Sequence, residues 1–508
     1  MNKFGTTLIT ILLLGSHLAA QNKHGDKWLL GYGANKYLPT NGTFITDFSL
    51  DGPELIPLSY DSVFNYPIVR STFCSDDGTL LYTTSGCRLY NRLGGLVPGG
   101  DQMNPGDFDK AYCHEYIGGF DYGFYQLVNS WNFLDWPNRD STLFITNHLI
   151  FNSPKAGYLS DTIFYKVINN KGDNGYGSAY KSEFIKMPGY VQDWHTMSCR
   201  HANGIDWWVL MPGFADKNWY RFLLDKDGLH GPYTQEIEFQ KDFLRGIGQS
   251  VFSPDGKKYA YIHVYTDEVF LYDFNRKTGE LSHPTKLIYP IKDGSAQRGA
   301  SFSPNSKYLY VSAEDYLYQY DLSKVNIQSS IVKVADYEEY IDAPYLNSAL
   351  KFSNQQLAPN GKIYFFTFGS DYRFLHVVNN PNEKGTACNF VQRGFPLKSY
   401  DAWVGPNNPH YQMTPDTTTT TVYVSIDIGI SLSPNPCKDY LNVMINGPNV
   451  HDLLIEIIDR QGRVLVNREF EQTIQKIKLD VSALVSGVYY LKVSSKDGKV
   501  VSKKFIKD

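Results

Sequence analysis

One pattern recurs along this chain and limits what it can fold into. A short apolar strand leads into a polar turn of Ser, Pro, Asn, Asp and Gly, and a strand rich in Tyr or Phe follows. Val251-Phe252-Ser253-Pro254-Asp255-Gly256 precedes Tyr259-Ala260-Tyr261-Ile262, and Ser301-Phe302-Ser303-Pro304-Asn305-Ser306 precedes Tyr308-Leu309-Tyr310-Val311. Thr72-Phe73-Cys74-Ser75-Asp76-Asp77-Gly78 and Gln356-Leu357-Ala358-Pro359-Asn360-Gly361 repeat it, with looser copies around 138–145 and 201–210. The strands after the turns open at residues 79, 142, 205, 257, 307 and 362, a period of fifty to just over sixty residues. A unit of that size with one turn and several strands covers its sheet faces only by stacking against its neighbours, as propeller blades do. Asp-Gly and Asn-Gly provide the positive-φ residues of a tight turn. Third strands follow as Val269-Phe270-Leu271-Tyr272-Asp273 and Leu317-Tyr318-Gln319-Tyr320-Asp321. With a degenerate first unit from Trp28 to Phe48 the count reaches seven blades. A β-sandwich is the structural rival, and so long a period disfavours it.

Composition agrees. Aromatic residues make up 15% of 508, with 38 Tyr and 30 Phe, and large rings suit the wedge between radially arranged sheets. The net charge of −4 offers no basic surface for nucleic acid. Lys3, the apolar run Leu8–Leu14 and Ala19-Ala20 before Gln21 read as a signal peptide over residues 1–20. No stretch beyond it reaches the ~18 apolar residues of a membrane helix. A closed ring leaves few free sheet edges, so a monomer is expected. Six cysteines fit neither a zinc site nor a redox pair. Cys74 and Cys87 would lie two strand spacings apart in one meander, about 9–10 Å, so a bridge between them is open only at strand ends.

Further residues carry a resemblance. Leu357 to Tyr364, Leu375-His376-Val377-Val378-Asn379-Asn380-Pro381-Asn382 and Gly385-Thr386-Ala387-Cys388 resemble the last blade of WD-repeat-like secreted propellers. Gly78 to Asn91 resembles their second blade. Those propellers occur in Gram-negative bacteria with a type IX secretion system. After a polar joint that includes Thr417 to Thr421, the run from Ser431 to Asp508 resembles the type A C-terminal sorting domain of type IX cargo. Its landmarks are Pro434-Asn435-Pro436, Gly487, Tyr489 and Lys503-Lys504-Phe505, with Ser433 standing where that family usually has an aromatic or apolar residue. The run holds twelve basic and nine acidic residues against a net negative remainder, an asymmetry that suits a detachable label. A generic Ig-like accessory sandwich is the alternative for it.

The expected organisation is all-β: a seven-bladed β-propeller over 22–412, a Thr-rich linker over 413–430 and a small Ig-like β-sandwich sorting domain over 431–508. The resemblance implies passage through the periplasm, recognition by the type IX machinery through these landmarks, and a final place outside the cell or on its surface.

Signals for chemistry are few. The sequence has no Gly-x-Ser-x-Gly elbow, His-Glu-x-x-His helix or Walker loop, so no catalytic residue, metal or cofactor is assigned. His195, Cys199 and His201 are zinc ligands by type, but their spacing suits packing on a strand better. Asp225-Lys226-Asp227-Gly228 reads as a hairpin turn rather than a calcium loop. Trp131, Phe133 and Trp136 read as an insertion between strands, with Trp194 in another. As loop aromatics they bind glycan or protein by stacking, or else they cap blade edges. The glycine-rich insertion from Gly94 to Gly106 reads as mobile. Two functions stay open: a binding propeller without catalysis, and a polysaccharide-degrading hydrolase or lyase with acids at the channel mouth. Buried acids converging in a deep pocket would mark the second.

Overall fold

Each polar turn closes on itself. In the computed structural model the Ser253 hydroxyl donates to Asp255 at 2.5 Å and accepts from the Lys258 amide at 2.9 Å, while Asp255 Oδ1 accepts from the Lys257 amide at 3.0 Å. Gly256 ends the turn at φ +69°, where a side chain is strained. Ser303, Asn305 and Tyr308 repeat the device, and Ser75, Asp77 and Thr79 use its core. The repeat is therefore a local hydrogen-bond unit, which is why it can be read from sequence.

The structure describes residues 23–508 except 32–41, 50–51, 59–69, 111–112, 114–115, 118–119, 122–129, 154–156, 193–194, 215–216, 238–247, 264–267, 291–297, 341–350, 368–369, 403–404, 417–428, 447–452, 461–462, 471–475 and 496–499. Residues 1–20, read from the sequence as a signal peptide, the threonine run and Trp194 lie outside these residues. The chain forms two units, Met1–Asp416 and Thr417–Asp508.

Among the described residues of the first unit, seven blade sheets follow in chain order, spanning 27–57, 71–91, 131–191, 197–236, 248–288, 298–336 and 352–402, with a two-stranded hairpin, Tyr116–Ile117 and Phe120–Asp121, between the second and third. The first two have three described strands and the others four, each an antiparallel meander whose strand order is its chain order. First strands of successive blades are neighbours, so they form the wall of the central channel. Apolar clusters join blade to blade: Phe73, Phe133, Phe144 and Trp207 link blades 2 to 4, and Trp208, Phe252, Tyr259 and Tyr320 link blades 4 to 6. Trp28 and Phe48 of blade 1 meet Tyr364, Phe366 and Phe374 of blade 7, which closes the ring.

The Gly94–Gly106 insertion is not the mobile loop expected. Val97 and Met103 are fully buried, and Asn91 Oδ1 accepts from the amides of Leu93 and Gly95. The Pro98 carbonyl accepts from the Ala179 amide at 2.8 Å, and Lys166 donates to the carbonyls of Gly99 and Gln102. Glycine here permits close backbone approach rather than motion. Beside it Cys87 is bonded to Cys113, while Cys74 is a free buried thiol, so no bridge joins Cys74 and Cys87.

The second unit packs a sheet of three strands (Gly429–Ser433, Tyr440–Asn446, Lys476–Asp480) on one of four (Val464–Phe470, Leu453–Ile458, Gly487–Ser495, Val500–Lys507). Leu441, Ile455, Ile457, Leu491 and Phe505 lie in its core. This is a small β-sandwich.

Candidate functional site: the channel and the turn face

The channel wall is polar and mostly uncharged. Asn132, Thr196, Ser198, Gln249, Ser250, Gln355 and Gln356 are all buried on or beside the first strands. Many bond across blades: Ser198 donates to Asn132 at 2.7 Å, and Gln249 Nε2 donates to the Gln355 carbonyl at 2.7 Å. Gln355 Nε2 donates to the Gly299 carbonyl at 2.9 Å. These bonds between blades avoid the desolvation cost of buried charge.

Residues 405–416 fill this channel. Asn407 Nδ2 donates to the carbonyls of Thr196 (2.9 Å) and Trp131 (3.3 Å), where those first strands begin. Asn132 Nδ2 donates to the Asn407 carbonyl at 2.8 Å. Further along, His410 Nε2 donates to the Phe252 carbonyl at 3.0 Å, and the Tyr411 hydroxyl donates to the Phe133 carbonyl at 2.8 Å. Met413 reaches Cys199 near the turn end of blade 4, with the sulfurs 3.6 Å apart. The segment thus enters at the end opposite the polar turns and leaves on the turn face. Gly405 lies so close to the Phe366 ring that a Cβ would sit 2.0 Å from it.

Arg276, 4% exposed, clamps the exit. Its Nη1 meets Asp416 Oδ1 at 2.6 Å, its Nη2 the Thr414 carbonyl at 2.8 Å, and its Nε the Arg200 carbonyl at 3.0 Å. Residues 413–416, read from sequence as the start of the joint, are held in the propeller unit. The N-terminal residues close the same face. His24 donates through Nδ1 to the Cys74 carbonyl (2.5 Å), stacks on Phe73 (4.6 Å) and meets Tyr411 edge-on (5.4 Å). Asp135, bound by Arg200 at 2.6 Å, lies 3.4 Å from His24 Nε2.

Between the segment and the turns lies a half-open cavity of about 250 Å³. Pro254, Pro304 and Pro359 of three turns wall it, and Asp26, Gln356 and His410 bring polar groups. Burial raises the Asp26 carboxyl to about 6 despite Lys23 and Lys27 nearby. Burial lowers His410 to about 4, against the pull of its bond to the Phe252 carbonyl and of Asp255.

His410 gives a pH prediction. Its folded value lies below the ordinary ~6.5, so the neutral ring stabilises the fold fully above pH 6.5. That contribution is lost as pH falls through about 4, up to ~3 kcal/mol at ~1.4 kcal/mol per unit. Asp26 works in the opposite sense: its contribution is present below its ordinary value and lost as pH rises through about 6. The stability of His410→Gln, which keeps a donor, should rise relative to the wild type as pH falls from 6.5 to 4, since Asp26 contributes equally to both. An unchanged difference between the two would refute the assignment.

The structure moves three expected binding residues indoors. Trp131 and Phe133 lie on the first strand of blade 3, Trp131–Asp135, at 2% and 1% exposure, and Trp136 follows at 5%. They pack on Phe73 and Phe144 (Phe133) and Phe144 (Trp131), because this stretch is the apolar strand before a turn and not an insertion. Buried rings cannot stack on a ligand. His195 bonds Ser250 at 2.8 Å and His201 the Lys277 carbonyl at 3.1 Å, apart from Cys199 and its partner Met413. Sequence reasoning missed residues 405–416 entirely.

In the sandwich, the landmarks converge on the last strand. Asn435 Oδ1 accepts from the Ile506 amide at 2.9 Å and its Nδ2 donates to the Lys504 carbonyl at 3.3 Å, with Pro434 and Pro436 on either side. Phe505 is fully buried and stacked on Tyr489 at 5.7 Å, Gly487 opens the neighbouring strand, and Lys503 reaches the Ile430 carbonyl at 3.2 Å.

Residues 431–508 match the family model of the secretion system C-terminal sorting domain, and residues 247–316 match that of the lactonase-type seven-bladed β-propeller. No curated protein matches the chain. Among solved structures, a putative 6-phosphogluconolactonase from Bacteroides uniformis ATCC 8492 is similar at 15% identity over 75% of this chain and 99% of that one, with a TM-score of 0.43. Its counterpart from Bacteroides fragilis NCTC 9343 is similar at 14% identity over 74% and 96%, with a TM-score of 0.39. The Dos1 propeller is similar at 10% identity over 83% and 87%, also at 0.39.

Proposed function

We propose that this type IX secretion cargo, a seven-bladed propeller delivered to the cell surface or beyond by its sorting domain, is a binding protein for an extracellular glycan or protein. The N-terminal signal segment takes it to the periplasm first. One observation carries the reading: the channel is occupied along its length by residues 405–416, which leaves the turn face and its half-open cavity for recognition. The cavity is smaller than the roughly 300–1,000 Å³ of drug-sized sites, and suits the end of a glycan chain or one side chain of a protein partner. Most glycoside hydrolases use two converging acids, whereas among the described residues one carboxylate, Asp26, lines this cavity. The lactonase-type match over 247–316 brings two prolines to it.

The test uses the full chain without its signal. A glycan array and a surface-protein binding assay run beside a hydrolysis screen on the same polysaccharides. Retention of one ligand without new reducing ends is expected; turnover of a bound polysaccharide would overturn the reading.

A further inference from the structure

The channel contacts have a pattern of their own. Asn132 and Gln356 donate to the main-chain carbonyls of Asn407 and Asn408, at 2.8 and 3.3 Å. In return, side chains of Asn407, His410 and Tyr411 donate to main-chain carbonyls of blades 3, 4 and 5. Asn407 and Met413 meet blade 4 at Thr196 and Cys199, three residues apart along its first strand, with a turn at Tyr411 and Gln412 between them. The Tyr411 ring adds apolar anchorage, with Phe73 at 5.9 Å, Trp207 at 5.7 Å and His24 at 5.4 Å. A row of buried amides reading carbonyls, plus one aromatic pocket, is the chemistry of peptide recognition through the backbone.

We propose that the channel wall is a peptide-binding surface whose resident ligand is the chain's own segment 405–416, and that its occupancy locks the seven blades into a ring. The blades are joined in sequence by local meanders, whereas this segment touches blades 2, 3, 4, 5 and 7 at once. The closure made by blades 1 and 7 is therefore reinforced by a ligand supplied at high effective concentration, on the order of millimolar for a short tether. The inference does not depend on what the turn face binds.

The full chain carrying Asn407→Ala and Tyr411→Ala tests it. Its melting temperature should fall by at least about 5 °C. A synthetic peptide of residues 405–416, added to about millimolar, should restore at least half of that loss, as mass action requires of a ligand for the folded state. A scrambled peptide should restore none, and the wild-type chain, already occupied, should not respond to either. An unchanged melting temperature in the double variant, or equal rescue by the scrambled peptide, overturns the proposal. If the double variant does not fold, Tyr411→Phe, which loses only the bond to the Phe133 carbonyl, is read in the same assay against the same outcomes.

Discussion

A chain ending at Val500 is expected to accumulate in the periplasm with its propeller folded and to vanish from the cell surface and the medium. The missing strand, Val500–Lys507, pairs in register with the strand that runs from Gly487 to Ser495. It also carries Phe505 into the sandwich core and supplies the partners of Asn435 and Cys437. Its loss unpairs the neighbouring strand along its length and opens the core, so the surface that the secretion machinery reads is dismantled. The propeller is untouched because its closing segment ends at Asp416. Fractionation with immunoblotting reads the location, and near-UV circular dichroism of the periplasmic form reads the fold. Equal surface levels of truncated and intact chains would remove the last strand from the sorting signal. Asn435→Ala, which frees two groups of that strand without deleting it, should lower surface levels less.

Trp131→Ala and Phe133→Ala should each cost about 3–5 kcal/mol of stability, the usual result of emptying a large buried aromatic site. Both rings sit in the cluster that joins blades 2, 3 and 4, at 2% and 1% exposure. Affinity for any ligand, measured per folded molecule, should stay constant, since neither ring reaches solvent. Chemical denaturation beside a binding isotherm separates the two effects. Lost affinity at unchanged stability would return these residues to the surface role that their isolated position in the sequence suggests.

That error shows what could be read in advance. The turns were legible because Ser253, Asp255 and Gly256 are satisfied within a few residues of one another, and the same local bonds recur at Ser303 and Ser75. Trp131 to Trp136 obeys the same rule, standing where Thr72-Phe73-Cys74 and Val251-Phe252 stand before their turns. Applied to the loose copy at Asn138 to Ser141, the repeat itself places these aromatics on a first strand. Two tryptophans spaced by a polar Asn and a Phe looked like a binding loop because channel-facing positions are polar, so the usual apolar run is broken by Asn132. The sandwich was legible through its landmarks, and the structure supplies their reason: Asn435 and Phe505 hold the same terminal strand. Residues 405–416 gave no signal. Their partners lie as far back as Phe133 and Thr196, 278 and 211 residues away, and Gly-Pro-Asn-Asn-Pro-His has no periodicity to betray burial. The cavity was equally hidden, being built from turns that are distant in sequence and meet only in the ring.

The exit at Asp416 has a mechanical consequence. Arg276 grips Thr414 and Asp416 where the chain leaves the ring, and the contacts behind them run back along the axis to Asn407. Tension applied through the C-terminal side therefore pulls on a rod lying in its bore, and the bonds of Tyr411, His410 and Asn407 share the load side by side. Tension on an outer strand would instead break a ladder one rung at a time. A propeller held at this end in flowing liquid bears force as a bolt does, along its own length, and passes it to the first strands of several blades at once.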